Sequence, residues 1–444
     1  MILAQNHQLP LSGNKYILSI LLVTLFSFCA ETKPLFTVEP NSAKKDTPIT
    51  SNIERKNKAD DDIVVIEDTV KKHFKVLLLL PLFLSDIVIE TDSEKVANTF
   101  TNSKLGIELY QGIKYAFDSL AAETGHSFTL NISDTKNNEE TLKNALISPN
   151  FYDADLAIGP VYNNMLKIAA NQAKKYNVPL VSPLSPAENI TQDNKRFFMV
   201  NPGIKAHLNT LLAFAKTQHA TDNIIIVRQG ADKDYSNYFQ RNINNTFSCK
   251  ELIYNAGKYS NAKNKEDLTT DLKSRLRTNL NNVIVVPSID LQFVHKLSRE
   301  LYNLSTDYPI VVLGLPVWSP ENDLRLDYLE KINTHFTQAS YIDDSLLHDA
   351  VFAQRFFDLY GQYSNEINIK GFDIAFFFGK QLIQHGKDFY KHIEEANDTS
   401  IHTTFNFKPS YTEGSMQEEM KLLYYENKKV HLFRIEEYML KKLR

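Results

Sequence analysis

The sequence predicts an α/β protein of two doubly wound lobes, each a parallel sheet covered by helices on both faces. Six short apolar runs carry that expectation: Val76–Leu80, Leu156–Ile158, Pro179–Val181, Ile224–Val227, Val283–Val286 and Ile310–Leu313. None alternates with polar residues, which is the pattern of strands buried on both faces. Each run also ends in a turn rich in Pro, Gly or Ser that leads towards helical spacing. The chain has 444 residues, enough for two cores.

The elements follow in order. After the first strand, Leu105, Ile107, Leu109, Ile113, Ala116, Phe117 and Leu120 fall at helical spacing, and Gly125 supplies the stop. Strand Phe128–Ile132, helix Glu139–Ile147, strand Leu156–Ile158, helix Tyr162–Tyr176 and strand Pro179–Leu184 complete one series. The pattern pauses at Phe197–Pro202 and restarts with helix Ile204–Gln218, strand Ile224–Val227, helix Tyr235–Asn245 and strand Glu251–Tyr254. Helix Leu268–Leu280, strand Val283–Val286, helix Leu291–Leu304 and strand Ile310–Leu313 close the second series. Two similar series predict two Rossmann-like lobes.

The final third adds to both lobes. Thr337–Ile342 reads as a strand, and helices Ser345–Tyr360 and Phe372–His385 return to lobe 1. Phe405–Phe407 and Leu422–Phe433 read as a hairpin or short strands on lobe 2. Lobe 1 is therefore expected over 74–202 and 343–398, and lobe 2 over 203–342 and 399–444. Crossings near Val200–Gly203, Tyr341–Asp344 and Asp398–Thr403 make a three-strand hinge that permits bending and limits shear.

Residues 1–30 read as an export signal: Lys15 precedes an apolar stretch, Tyr16–Phe28, of h-region length. Cys29 is a lipidation candidate, although Phe26 and Phe28 occupy positions where a lipobox prefers Leu and a small residue. Acylation at Cys29, cleavage near Ala30 and an uncleaved anchor stay open. Residues 31–73 are rich in Lys, Asp, Asn, Ser, Thr and Pro and read as a tether that cannot offset its ordering entropy. Beyond the signal only Cys249 remains, so no internal disulfide forms. The expected location is the periplasm, free or as a lipoprotein, with the membrane touched only through that N-terminal anchor. Charged residues are 23% of the chain and the net charge is −4 without a basic stripe, which argues against nucleic acid.

Seven motifs stand in a telling order: Val76–Leu82, Leu109-Tyr110-Gln111-Gly112-Ile113, Ile158-Gly159-Pro160-Val161, Val181-Ser182-Pro183-Leu184-Ser185, Asn201-Pro202, Tyr341-Ile342-Asp343 and Gly371-Phe372-Asp373-Ile374-Ala375. This set, spanning Lys75 to Ile393, resembles the type I periplasmic binding proteins, the fold of the leucine/isoleucine/valine binders. It is most similar to exported receptor-family ligand-binding proteins of Gram-negative bacteria, the substrate-binding components of ABC transporters. The resemblance implies two lobes closing on a small ligand. Two features depart from it. No peptidoglycan-binding LysM module precedes the tether, and Gly159-Pro160-Val161 stands where amino-acid binders carry a hydroxyl-rich stretch. Pro160 has no N–H to donate.

Ligands of open α/β sheets sit beyond the carboxyl ends of the strands. The candidate binding residues are therefore Pro81, Leu82, Gly159, Pro160, Val161, Ser182, Pro183, Leu184 and Ser185 in lobe 1. In lobe 2 they are Asp232, Asp234, Tyr235, Pro287, Ser288, Pro316 and Trp318. Asp234 equally suits a helix N-cap, Trp318 a cleft wall or a lid, and Asp373 the charged start of a helix. Gly371–Lys380 fails as a phosphate loop, since Gln381 stands in place of Ser or Thr. No hydrolase elbow, zinc motif or Cys pair appears, so neither enzyme chemistry nor a cofactor or metal is expected. The leading reading is a binding protein for a small polar solute such as an amino acid or peptide, serving an ABC transporter permease. The competing reading is an interaction protein of the same fold, resembling lipoprotein activators of cell-wall synthases.

Overall fold

The computed structural model describes residues 71–85, 93–243, 249–255, 268–341, 347–412 and 420–443. The expected export signal, Cys29 and all but the last residues of the expected tether lie outside them. Lobe 1 begins with β1 (His73–Leu80), α1 (Ser93–Thr124), β2 (Ser127–Asp134), α2 (Glu139–Leu146) and the single-turn α3 (Pro149–Tyr152). It continues with β3 (Leu156–Ile158), α4 (Asn163–Tyr176), β4 (Leu180–Ser182) and β5 (Phe197–Met199). The chain enters lobe 2 with α5 (Ile204–Gln218), β6 (Asn223–Arg228), α6 (Lys233–Asn242), β7 (Lys250–Ile253) and α7 (Leu268–Lys273). Then follow β8 (Asn282–Val286), α8 (Leu291–Leu304), β9 (Ile310–Gly314), α9 (Leu326–Lys331) and β10 (Thr334–Gln338). It returns to lobe 1 with α10 (Leu347–Tyr360), α11 (Glu366–His385), β11 (Asn397–Thr399), β12 (Thr404–Tyr411) and β13 (Leu422–Asn427). Lobe 2 receives the end, β14 (His431–Glu436) and β15 (Met439–Lys442).

Both parallel cores share one order. Lobe 1 runs β2-β1-β3-β4-β5 and lobe 2 runs β7-β6-β8-β9-β10. In each, the first strand is flanked by the second and third, so the chain reverses direction there and opens a crevice at the carboxyl ends. The alternation of side chains explains the unbroken apolar runs. Val76, Leu78 and Leu80 enter one core while Leu77 and Leu79 enter the core on the opposite face. On β8, Ile284 and Val286 separate from Val283 and Val285 in the same way.

The late strands correct the expected boundaries. β12 and β13 extend the sheet of lobe 1, through the parallel pair of β13 with β5, rather than that of lobe 2. Phe405 and Phe407 are fully buried in the lobe 1 core, where Phe405 stacks on Phe377 at 4.2 Å between centroids. The expected antiparallel strands form between β12 and β13, but Leu422–Phe433 is divided: β13 lies in the sheet of lobe 1 and β14 in that of lobe 2, antiparallel to β10. The third crossing is Lys428–Val430, not Asp398–Thr403. The first crossing lies at Val200–Gly203 as expected, and the second leaves β10 after Gln338, with residues 342–346 outside the described set. The helix expected over Leu268–Leu280 stops at Lys273.

Asp373 is not at a helix start either. α11 begins at Glu366 under an Asn365–Asn368 capping box, which leaves Asp373 buried mid-helix. Its carboxylate accepts amide hydrogen bonds from Ile401 (3.0 Å), His402 (2.8 Å) and Thr403 (2.6 Å). Those three bonds hold the segment in lobe 1 where a crossing was expected.

Candidate functional site

The crevice between the lobes holds a cavity of about 1210 Å³. Its wall in lobe 1 comes from the loops after β3 and β4, with Val161, Tyr162, Asn163 and the stretch Leu184–Asn189. Its wall in lobe 2 comes from Ile204 and Lys205 at the start of α5 and from the loop and first turns after β6, including Asp234, Tyr235 and Arg241. Three helices thus begin at this cavity: α4, α5 and α6. Their N-cap residues, Tyr162, Gly203 and Asp232, make no side-chain capping bond. Uncapped helix N-termini present backbone N–H groups and partial positive charge. The charged side chains are mixed. Glu188 Oε1 takes the Lys205 amide at 3.4 Å, and Glu188 Oε2 lies 3.8 Å from Lys205 Nζ. Burial, followed by the nearby Glu188 carboxylate, pushes the Tyr235 phenol up, so it stays a neutral donor.

The sequence candidates divide on this geometry. Val161, Leu184, Ser185, Asp234 and Tyr235 line the large cavity; Ser185 Oγ also accepts the Ala187 amide at 3.3 Å. Pro316 lines a second, smaller cavity. The remaining candidates serve the fold. Pro81 and Leu82 are buried, and the amides of Leu82, Phe83 and Leu84 are taken by the Asp134 carboxylate at 2.9, 3.0 and 2.9 Å. Gly159 has φ +105°, and a Cβ there would lie 2.3 Å from the Leu79 carbonyl oxygen, so this turn is packed on β1. Pro160 and Pro183 are buried beside it and beside β4. Ser182 is fully buried and does not reach the cavity.

In lobe 2 the same division holds. Asp232 closes its own turn by accepting the Gln229 amide at 3.0 Å. Pro287 and Ser288 are buried, and Ser288 Oγ accepts the Asp290 amide at 3.3 Å just before α8. Trp318 is neither wall nor lid. It is fully buried, and its ring fills the place a side chain on Gly314 would need, with Cδ1 2.2 Å from a Cβ there.

The smaller cavity, about 710 Å³, lies at the hinge end of the crevice. Asn201 and Pro202 from the first crossing and Ala339–Tyr341 from the second line it, with His207, Glu366, Lys370 and His402. Pro186 borders both cavities. Sequence reasoning missed these residues, because Lys370, Glu366 and His207 on helices read as solvated faces and His402 stands in a loop without a local pattern. Among the described residues no group of three His, Cys, Asp or Glu side chains is placed to hold a metal, and no helix is long and apolar enough to cross a membrane.

No protein-family model matches the chain, and no curated protein matches it. Solved structures do. A branched-chain amino acid transporter protein from Rhodopseudomonas palustris superposes with TM-score 0.57 at 12% identity, covering 84% of this chain and 96% of its own. A periplasmic ligand-binding protein of a branched-chain amino acid ABC transporter from Burkholderia xenovorans gives 0.54 at 10% identity, with 84% and 94% covered. This is the type I periplasmic-binding fold. An ABC transporter substrate-binding protein from Desulfitobacterium hafniense, solved in complex with Leu, matches at 0.52 and 12% identity over 84% and 99% of the two chains. The expected periplasmic-binding architecture, two α/β lobes and a hinge of three crossings, is the observed one.

Proposed function

We propose that this chain is an exported solute-binding protein that closes its two lobes on a small polar ligand and delivers it to an ABC transporter. The convergence of three helix N-termini on one interlobe cavity, those of α4 and α6 without a side-chain cap, carries the reading. Such termini favour carboxylate or other anionic and acceptor-rich groups, and Lys205 and Arg241 add positive charge while Glu188 and Asp234 can receive a ligand cation. The neighbours named above are transporter proteins, and one was solved holding Leu. Ligand contact falls to Ser185, Tyr235, Lys205 and Arg241 rather than to the buried Ser182. Export through residues 1–30, and acylation of Cys29 as the anchor, belong to the same proposal.

A thermal-shift screen of the full chain against amino acids, short peptides, sugars and cell-wall fragments tests it. A cognate solute at about 100 times its Kd stabilises by about 2.7 kcal/mol, a readable shift. Silence across the panel would contradict solute binding.

A further inference from the structure

The hinge-end cavity has unfilled hydrogen-bonding capacity of a defined kind. Lys370, His207 and His402 all line it, and each is only 5% exposed. The Lys370 ammonium carries three N–H donors. Among the described residues Nζ makes one hydrogen bond, to Asn201 Oδ1. His207 Nδ1 and His402 Nδ1 are buried and have no partner among the described residues. A buried polar atom left unpaired costs free energy, and so a cluster of them in a roomy cavity marks a place for a ligand.

The chemistry of the occupant follows from which atoms give and which take. His402 Nε2 lies 3.3 Å from Glu366 Oε1. That contact places the ring proton on Nε2 and leaves Nδ1 a bare acceptor. Burial keeps His207 neutral, its pKa pulled down to about 4, so its Nδ1 can carry the proton and donate. The cavity then offers donors from Lys370 and His207 and an acceptor from His402. Glu366 and Glu321 on its wall disfavour a bare anion and favour an occupant that also brings a donor.

We propose that the hinge-end cavity is a second binding site, for a compact carboxylate bearing a hydrogen-bond donor on the neighbouring carbon, such as an α-hydroxy or α-amino acid. The carboxylate sits on Lys370 and His207, and the neighbouring hydroxyl or ammonium donates to His402 Nδ1. Because Asn201 and Tyr341 belong to two of the three crossings, an occupant touches the hinge itself. The site does not depend on what fills the larger cavity.

The test is an NMR titration of the full chain carrying ¹³C-histidine, with the His207 and His402 ring signals assigned from His207→Asn and His402→Asn. L-Lactate should move both signals saturably. Propionate, which lacks the donor, should bind about twofold to tenfold more weakly. Lactamide, which lacks the carboxylate, should produce no saturable shift. Lys370→Met should weaken lactate about tenfold to hundredfold. If that variant does not fold, the three-solute comparison on the native chain decides alone. Lactamide matching lactate, or no solute saturating either signal, overturns the proposal. Trialanine and its C-terminal amide then separate the sources. Displacement of lactate by the free peptide alone assigns the carboxylate to a longer solute lying along the crevice, and no displacement assigns it to a free small acid. A hit in the thermal screen with no lactate effect defeats this site while leaving solute binding intact.

Discussion

The Glu426 carboxylate accepts the amide of Gly203 at 2.7 Å, and so ties the third crossing of the hinge to the first. Glu426 is the penultimate residue of β13, just before Lys428–Val430, and Gly203 precedes α5 just after the chain leaves β5. The same carboxylate takes Ser410 Oγ at 2.7 Å and the Lys428 ammonium. Both Glu426 and Gly203 are buried. Glu426→Ala would strand the Gly203 N–H, at a cost of about 1–3 kcal/mol. Urea unfolding should show that loss, with Glu426→Gln losing less because it retains an acceptor. Equal stability of Glu426→Ala and the native chain would mean that the bond adds nothing to the hinge.

Gly112 on α1 and Gly371 on α11 let those two helices touch. A Cβ on Gly112 would fall 1.9 Å from the Asn368 carbonyl oxygen, and one on Gly371 would fall 2.6 Å from that of Leu109. Backbone on both sides cannot yield as a flexible side chain would. Gly112→Ala should therefore destabilise by at least the roughly 1–3 kcal/mol typical of overpacking. A melting temperature within error of native would contradict the contact.

Stability should depend on pH in opposite senses at two places. Burial pulls His335 down to about 4, as it does His207. As pH falls from 6.5 towards 4 the unfolded chain takes up these protons first, so each histidine removes stability by up to about 1.4 kcal/mol per pH unit. Burial pushes the Asp373 carboxyl up to about 7, against the three amide donors that favour its ionised form. There the folded chain holds the proton longer, so stability falls as pH rises from about 4 to 7. Unfolding free energies at pH 4.5 and 6.5 should show a flatter dependence in His335→Gln and a steeper rise with pH in Asp373→Asn. The same slope in all three proteins would refute both assignments.

Much of the fold was legible because strands buried on both faces leave unbroken apolar runs, and the Val76–Leu80 and Val283–Val286 runs became β1 and β8. The motifs around Gly112 and Gly371 were visible as well, although their physical reason, a close helix contact, is a distance that no sequence displays. What escaped notice was set by non-local bonds. Asp134 claims the amides after β1 from 52 residues away, turning an apparent ligand loop into a closed turn. Asp373 holds 401–403 in lobe 1, and β13 finds β5 across more than two hundred residues. Periodicity finds an element but not its partner. The cavity residues Glu188, Lys205, Lys370 and His207 carry no local pattern, so only the fold brings them together.

The cavity walls should matter unequally. Lys205→Met and Tyr235→Ala touch the cavity from lobe 2, whereas Ser182 is buried behind its wall. For a solute found in the thermal screen, Lys205→Met should weaken binding by about tenfold to hundredfold if it meets a charged group. Ser182→Ala should leave affinity unchanged. The reverse order would move the site from the loops Leu184–Asn189 to the end of β4.

Closure is the central claim, and a distance across the crevice measures it. Asn164 near the start of α4 and Lys233 at the start of α6 are exposed on opposite lobes and line neither cavity. Spin labels at Asn164→Cys and Lys233→Cys, in a chain with Cys29 and Cys249 replaced by Ser, report the interlobe separation by double electron–electron resonance. A saturating solute from the screen should shift the distribution to a shorter and narrower distance. An unchanged distribution, with binding shown independently on the same labelled protein, would contradict closure of the two lobes on a ligand.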